Sequence, residues 1–406
     1  MGFDKTIVEK ELAKPIREIS IIRLVDLFLS FGYHIRASDI HIDPQEDSVK
    51  IRMRVDGVMQ MAFSAPKSIQ DEIISRIKVL SDLRIDEHLA PQDGRFKFAL
   101  EGKKIKFDVR VSIVPTYYGE NSVMRLLVEQ GKGYTLEDLN LSVNDFEKIK
   151  RAIKKTYGMI LVTGPTGSGK TTSLYTLLKV LNRPEVTIIT VEDPIEYSLD
   201  GVNQIQVNAT TNLTFANGLR SILRQDPNII MVGEIRDQET ANIAINAALT
   251  GHLILSTLHT NDSATALPRL LDMKVEPFLI ASTVNIVIAQ RLVRKICPDC
   301  KMKKAVTPSQ IQAIKNYFDS EESLKHLYAG KGCQTCENSG YLGRVGIYEI
   351  LEVTELVRSA IASRQSAAEI KKLAIQEGMT TIFADGIRKA KEGLTTVEEV
   401  LRVMQE

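Results

Sequence analysis

A glycine-rich stretch between an apolar strand and a helix constrains this chain more than any other feature. It fits the pattern Gly-x-x-x-x-Gly-Lys-[Ser/Thr], which is typical of a phosphate-binding loop. Glycines let the backbone turn so that successive N–H groups point at one anion, and the following helix adds a favourable dipole. A chance loop is the alternative, and the strand before and helix after disfavour it. The predicted nucleotide-binding residues are Gly164, Pro165, Thr166, Gly167, Ser168, Gly169, Lys170, Thr171 and Thr172.

Two members of this loop carry specific chemistry. Lys170 supplies a positive charge for the β- and γ-phosphates of a nucleotide. The Thr171 hydroxyl can ligate Mg²⁺. The loop therefore predicts a nucleoside triphosphate with Mg²⁺ as its ligand.

Strands and helices alternate after this loop, which predicts an α/β fold with a parallel sheet. Three apolar strands end in Glu192, Glu234 and His259, and ligands bind at the carboxyl ends of parallel strands. We expect these side chains to converge on the γ-phosphate, where a carboxylate can activate water and a histidine can contact the phosphate. Each alone is more commonly an ordinary polar strand end, but the three together favour a catalytic set.

The N-terminal region mixes antiparallel strands with helices. Residues 37–44 alternate as a strand with Asp39, His41 and Asp43 on one face, and a polar strand face is favoured over a metal site. Arg110 and Arg125 also lie on predicted strands. Spacing alone favours a solvent-facing charge or a local salt bridge for both arginines.

The chain has 406 residues, which predicts two or three domains. Its net charge of +1 disfavours a general nucleic-acid coat. The opening residues lack the apolar stretch of a signal peptide, and no apolar run has membrane length, so we expect a cytoplasmic protein.

The four cysteines form two Cys-x-x-Cys pairs, which in a cytoplasmic protein favour metal over disulfides. Cys297, Cys300, Cys333 and Cys336 suit a closed tetrahedral Zn²⁺ site, with four free thiols as the alternative.

The C-terminal tail has the composition of several short helices. Two tail segments, Ser366-x-x-Glu369 and Thr396-x-x-Glu399, have the spacing of helix capping boxes.

In several motifs along its length, the chain resembles the GspE/PilB family of secretion ATPases, which drive type II secretion and type IV pilus assembly. The resemblance covers nearly everything from Pro15 onward. The segments that carry it are Ala37–His41, Pro91–Arg95, Gly164–Lys170, Val191–Tyr197, Leu223–Asp237 and Leu249–Asn261.

The resemblance implies a PAS-like module joined to a RecA-like ATPase, assembled as a hexameric ring that uses ATP and Mg²⁺. It implies that Glu192 is the general base and that Glu234 is linked to Mg²⁺. It also implies that Arg110 and Arg125 contact the phosphates, which differs from the interpretation that spacing alone favours. The family's histidine motif adds His252 to the nucleotide-binding residues.

The predicted divisions follow these features. They are 1–130, a PAS-like α+β module; 131–145, a linker that begins at Gly131; 146–295, a RecA-like P-loop ATPase core; 296–345, a tetracysteine zinc insert; and 346–406, a helical region.

The predicted function is a hexameric motor that hydrolyses ATP to drive pilin polymerisation in type IV pilus assembly. It would work at the inner-membrane face on a membrane platform protein. A type II secretion motor is the alternative. A RecA-like nucleic-acid translocase is a rival from a different class, but stable nucleic-acid binding is not expected from the near-zero net charge. A third hypothesis is a non-hydrolysing scaffold, in which the nucleotide only sets the shape of the ring.

Overall fold

The computed structural model describes residues 5–100, 105–128, 134–315 and 326–405. The chain divides into two compact units, Met1–Lys132 and Gly133–Glu406. The start of the predicted linker, residues 131–133, lies outside the described residues. None of the helices in the described ranges combines the length and apolar character that crossing a membrane requires.

The first unit is a six-stranded antiparallel sheet with helices. The sheet has the strand order β3-β2-β1-β6-β5-β4, and all neighbouring strands are antiparallel. Its elements are α1 (Lys5–Leu12), α2 (Ile21–His34), β1 (Ala37–Pro44), β2 (Ser48–Val55), β3 (Val58–Pro66), α3 (Gln70–Leu80), β4 (Gln92–Ala99), β5 (Lys106–Thr116) and β6 (Gly119–Leu127).

Alternation along the strands separates the two faces of this sheet. On β1, Ile40 and Ile42 are fully buried in a core that also includes Phe28 of α2 and Ile77 of α3. Successive strand residues point to opposite faces, so the polar residues of β1 lie on the other side of the sheet. The strand predicted over 37–44 is therefore confirmed, with its polar face away from the helices.

The second unit is built on a seven-stranded sheet of order β15-β12-β7-β11-β10-β8-β9. From β12 to β9 all neighbours are parallel, and β15 joins the edge antiparallel to β12. Its first elements are α4 (Val143–Ile153), β7 (Gly158–Thr163), α5 (Lys170–Leu181), β8 (Ile188–Glu192), β9 (Asn203–Gln206), α6 (Phe215–Ile222), β10 (Ile229–Val232), α7 (Gln238–Leu249), β11 (Leu253–Leu258), α8 (Ala266–Asp272) and α9 (Pro277–Thr283).

The remaining elements carry the chain to its end. They are β12 (Val284–Ile296), β13 (Lys301–Ala305), α10 (Pro308–Ile314), β14 (His326–Gly330), β15 (Tyr341–Glu352), α11 (Glu355–Ala362), α12 (Ala367–Gln376), α13 (Ile382–Lys391) and α14 (Val397–Gln405).

Both faces of this sheet are buried, which explains why the sequences of its strands are almost continuously apolar. Met159 and Leu161 of β7 join a core with α7 on one face, while Ile160 and Val162 join a core with α5 on the other. Because β7, β11, β10 and β8 are parallel, their carboxyl ends lie at one edge of the sheet. The phosphate loop, Glu192, Glu234 and His259 lie at the ends of these strands or in the loops that follow them.

The cysteine segment lies between the two long strands β12 and β15, which pair antiparallel from Ile286 with Glu352 to Ile296 with Tyr341. The predicted boundary at 345/346 therefore falls inside β15, and the region predicted to be only helical begins with a strand of the central sheet. Sequence spacing missed β15 because its pairing partner β12 is about fifty residues away along the chain.

Candidate functional site

The phosphate loop has the backbone that its glycines predict. Gly164, Gly167 and Gly169 all have positive φ, and Gly169 precedes the first residue of α5. A Cβ at Gly164 would lie 2.3 Å from the backbone oxygen of Gln290, so only glycine fits there. The first turn of α5 carries Thr171 and Thr172, both half-buried. This backbone, at the N-terminus of α5, is the arrangement that can offer N–H groups to an anion.

Gln290 of β12 braces this loop from beneath. Its Nε2 donates to the Ser168 carbonyl at 2.7 Å, and its Oε1 accepts the Ser173 hydroxyl at 2.7 Å. Gln290 is 2% exposed. Sequence reasoning missed it because nothing near the loop indicates which residue of a distant strand will lie under it.

The loop's side chains fit an anionic phosphate group. Lys170 Nζ donates to two loop carbonyls, those of Gly164 at 2.9 Å and Pro165 at 3.1 Å. Burial lowers the pKa of Lys170, and the carboxylate of Glu234 opposes that effect. The buried Ser168 hydroxyl has no hydrogen-bond partner within the described part of the chain. A charge and a hydroxyl are thus available to an anion.

Glu234 and His259 meet at the carboxyl edge of the sheet. His259 Nε2 lies 3.2 Å from Glu234 Oε2, and Arg236 Nη2 lies 2.5 Å from Glu234 Oε1. Glu234 is 9% exposed, whereas the His259 and Arg236 side chains are at least half exposed. The structure brings together two of the three predicted strand-end residues and adds Arg236, which sequence reasoning did not select.

Glu192, the third of these residues, ends β8 and is almost fully buried. Its carboxylate accepts hydrogen bonds from the Tyr175 hydroxyl, from Thr190 Oγ1 at 2.6 Å and from Gln204 Nε2 at 3.1 Å. Sequence reasoning found the glutamate but none of its donors. Tyr175 has the spacing of an ordinary buried helix residue, so only its partner reveals a polar role.

His252 lies away from the phosphate loop. Its prediction as a nucleotide-binding residue is therefore not supported for the nucleotide bound by the loop of the same chain. It precedes β11, its carbonyl accepts from Gly158 N at 3.1 Å, and its Nδ1 lies 3.0 Å from the Ala247 carbonyl. Gly158 begins β7, whereas the loop follows Thr163 at the other end. A strand of this length spans roughly 16 Å. The histidine motif thus places His259 and His252 at opposite edges of the sheet.

In the first unit, Arg110 and Arg125 belong to a row that crosses the sheet. Cross-strand pairing aligns Arg54, Asp39, Arg125, Arg110 and Arg95 in that order. Arg125 Nε donates to Asp39 Oδ1 at 2.8 Å, yet its side chain is 59% exposed. Burial would raise the pKa of Asp39, but its hydrogen bonds, chiefly from Arg125, hold the pKa below its usual value. Spacing alone favoured a solvent-facing charge or a local salt bridge, and Arg125 forms the salt bridge, within a row of four arginines and one carboxylate.

The four cysteines form one compact cluster, with sulfur atoms all within 4.8 Å of one another. The Sγ–Sγ distances are 3.8 Å for Cys297–Cys333, 3.9 Å for Cys300–Cys336 and 3.7 Å for Cys333–Cys336. A tetrahedron with metal–sulfur bonds of about 2.3 Å has edges of about 3.8 Å, as for Zn²⁺. The cysteines therefore fit a four-thiolate metal ion, and the distances are far too long for disulfides.

The braced glycine loop, its lysine and the acids at the parallel-sheet edge define the class of protein: a P-loop ATPase with a RecA-like sheet. A family model described as "Type II/IV secretion system protein" matches residues 16–402. This chain belongs to that family, as the resemblance predicted, and the prediction of an ATPase is confirmed with it.

The curated relatives include both pilus and secretion proteins. The chain is 44% identical to the type IV pilus assembly ATPase PilB of Thermus thermophilus, covering 98% of this chain and 45% of that protein. It is 44% identical to the Myxococcus xanthus PilB, covering 96% and 69%, and 46% identical to the type II secretion system protein E of Xanthomonas campestris, covering 96% and 68%. The chain thus spans less than half of the first relative and about two thirds of the others.

Solved structures support the fold. The Legionella pneumophila ATPase DotB matches with a TM-score of 0.69 at 23% identity, covering 97% of both chains. The pilus retraction motor PilT with bound ADP matches with a TM-score of 0.61 at 25% identity, covering 93% of this chain and 96% of that one.

Proposed function

We propose that this chain is the ATP-hydrolysing motor of a type IV pilus assembly machine. The observation that carries ATP hydrolysis is the glycine loop with Lys170, where the Glu234 carboxylate favours the charged form of the lysine and opposes the lowering of its pKa by burial. Similar identity to pilus and secretion relatives, 44% and 46%, keeps a type II secretion motor as the alternative. The motor would be a homohexamer at the cytoplasmic face of the inner membrane, attached through a platform protein.

The residues divide the work of hydrolysis. The loop N–H groups and Lys170 hold the ATP phosphates, and Thr171 with Glu234 would hold Mg²⁺, which neutralises developing charge when bound. Glu192 takes the proton of the attacking water, and His259 contacts the terminal phosphate. Arg110 and Arg125 donate charge-assisted hydrogen bonds to the phosphates.

Two further assignments complete the proposal. The first unit is the PAS-like module of the family. The cysteine cluster holds one Zn²⁺ with a structural or docking role, because four sulfur ligands leave no open position for catalysis.

The test of the chemistry is the Glu192→Gln variant. The amide keeps the shape of the side chain but cannot accept a proton, so ATP should bind with near-wild-type affinity while turnover falls by roughly 10² or more. Steady-state turnover and binding of a fluorescent ATP analogue measure the two effects. The exposed Glu185→Gln variant is the control, and near-normal turnover of Glu192→Gln would refute the general-base role.

The test of assembly is the particle mass with an ATP analogue, where six copies are expected. DNA should neither bind tightly in a salt-sensitive way nor stimulate hydrolysis. DNA-stimulated turnover would favour the nucleic-acid translocase instead, and absence of turnover with ATP and Mg²⁺ would favour the scaffold.

A further inference from the structure

Tyr175 is a fully buried tyrosine on α5 whose hydroxyl donates to the carboxylate of Glu192. It lies five positions after Lys170, on the same helix. We propose that Tyr175 is a positioning residue for hydrolysis, which fixes Glu192 relative to the phosphate loop. The inference rests on the proposed role of Glu192 as general base.

The hydrogen bonds to Glu192 indicate which acceptor position is available to a water. Thr190 and Gln204 donate to Oε1, whereas Tyr175 donates to Oε2. An ionised carboxylate offers about four acceptor positions, and these three donors use three of them. The fourth lies on Oε2, the oxygen that Tyr175 holds. The tyrosine hydroxyl therefore sets the direction in which Glu192 can meet a further donor.

The tyrosine itself has little freedom. Its ring is 0% exposed and packs edge-on against Tyr197, with centroids 4.8 Å apart. Gln204 Nε2 lies 3.2 Å from its hydroxyl oxygen. Burial raises the pKa of Tyr175 far above its usual value, and the charge of Glu192 adds to this effect. The hydroxyl consequently remains a proton donor at neutral pH.

The amide of Gln204 is oriented as well. Its Oε1 accepts the backbone N–H of Leu199 at 2.7 Å, so its Nε2 must face Glu192 and Tyr175. The carboxylate is thus held from three elements, α5, β8 and β9. Of these, only α5 begins at the phosphate-loop lysine, so the Tyr175 hydroxyl links the position of Glu192 to that of the loop. Loss of this hydroxyl should misplace the base, and the loop itself should keep its structure.

The experiment is the Tyr175→Phe variant of the full chain. Phenylalanine keeps the buried ring and removes only the donor, so kcat for ATP hydrolysis should fall about 10-fold or more while KM for ATP stays within about twofold. Tyr341→Phe is the matched control, since Tyr341 also bonds a hydroxyl, that of Thr396 at 3.0 Å, and should keep wild-type kcat.

A double variant tests whether Tyr175 acts through Glu192. In a Glu192→Gln background, Tyr175→Phe should cause no further loss of kcat, because the base is already absent. An equal loss in both backgrounds, or wild-type kcat in the single variant, would overturn the proposal. If Tyr175→Phe does not fold, Gln204→Leu should show the same kcat loss at constant KM, and an unchanged kcat there would also overturn it.

The outcomes separate this inference from the proposed function. Normal turnover of Glu192→Gln contradicts the role of Glu192 as base, and the positioning role with it. Loss of turnover in Glu192→Gln together with full turnover in Tyr175→Phe contradicts only the positioning role.

Discussion

The phosphate loop and the cysteine cluster both have the features of ligand sites. They differ in how their polar groups are arranged before a ligand binds. At the phosphate loop, the Ser168 hydroxyl has no partner in the described residues, and Lys170 donates to loop carbonyls rather than to a carboxylate. In the cysteine cluster, the sulfurs of Cys297, Cys300 and Cys336 lie in a buried group already at tetrahedral spacing. The first site is arranged for a ligand that comes and goes, and the second for one that stays.

The difference also concerns what each site does for the fold. The loop is braced by Gln290 through bonds to the Ser168 carbonyl and Ser173, so the protein holds its shape without help from a ligand. The cysteine cluster joins two segments about thirty residues apart, and few large apolar side chains accompany it. A metal bound there would supply folding energy that a small core lacks. Catalysis should depend on the loop, and local stability on the cysteines.

The largest expected effect concerns the loop. Lys170→Ala removes the charge that is proposed to bind the β- and γ-phosphates, so ATP turnover should fall by roughly 10² or more, with unchanged melting temperature. ATP hydrolysis and thermal unfolding measure this, with the exposed Lys154→Ala as control. Substantial ATP turnover in Lys170→Ala would contradict the assignment of this loop to the catalytic site.

A smaller effect on chemistry, but a large one on stability, is expected at the cysteines. Cys300→Ser should lower the bound zinc from about one ion per chain and lower the melting temperature by several degrees, because one of four ligands is lost. Elemental analysis and calorimetry measure these changes. Binding of an ATP analogue should persist. Unchanged melting in a zinc-free variant would contradict a structural role, and lost nucleotide binding would erase the distinction between the two sites.

The smallest effect on ATP turnover is expected at Glu399, which pairs with Arg294 of β12 at 2.5 Å from Nη2 to Oε1. Burial opposes its ionisation, but hydrogen bonds from Arg402 and Arg294 lower its pKa to about 2. A depressed pKa gives stability that is present above the unfolded value of 4.5 and is lost as pH falls from there towards 2.

Glu399→Gln should therefore destabilise the chain at pH 7 by about 3 kcal/mol, and the difference from wild type should narrow below pH 4.5. Denaturant unfolding at several pH values measures it. Glu398→Gln is the matched control, since the Glu398 side chain is 47% exposed and pairs with Lys304 at 3.4 Å. A difference that stays constant down to pH 3 would contradict the assignment.

Much of the fold and of the site could be predicted from the sequence where the cause is local. The strand, glycine loop and helix around Lys170 are contiguous, so nearby residues fix their backbone. The capping box at Ser366 and Glu369 forms as its spacing predicts. At Thr396 only half of the predicted box forms, because the Glu399 carboxylate bonds the Arg294 backbone N–H and side chain instead.

The site residues that could not be predicted depend on contacts between segments far apart in the chain. Strand ends placed Glu234 and His259 together, since parallel strands share one edge. His252 was grouped with them by motif, but the direction of β11 puts it at the opposite edge. Arg236 and Tyr175 gave no spacing signal, because each is defined only by the carboxylate it contacts.

Amino-acid order alone predicts the phosphate loop, the parallel sheet after it and the two Cys-x-x-Cys pairs, because short-range backbone geometry and residue chemistry suffice for them. Three-dimensional packing is needed to establish that Gln290 lies under the loop, that β15 forms an edge of the sheet and that Tyr175 contacts Glu192. Those contacts depend on which faces of distant elements pack together, and packing is settled by the whole core rather than by any one segment.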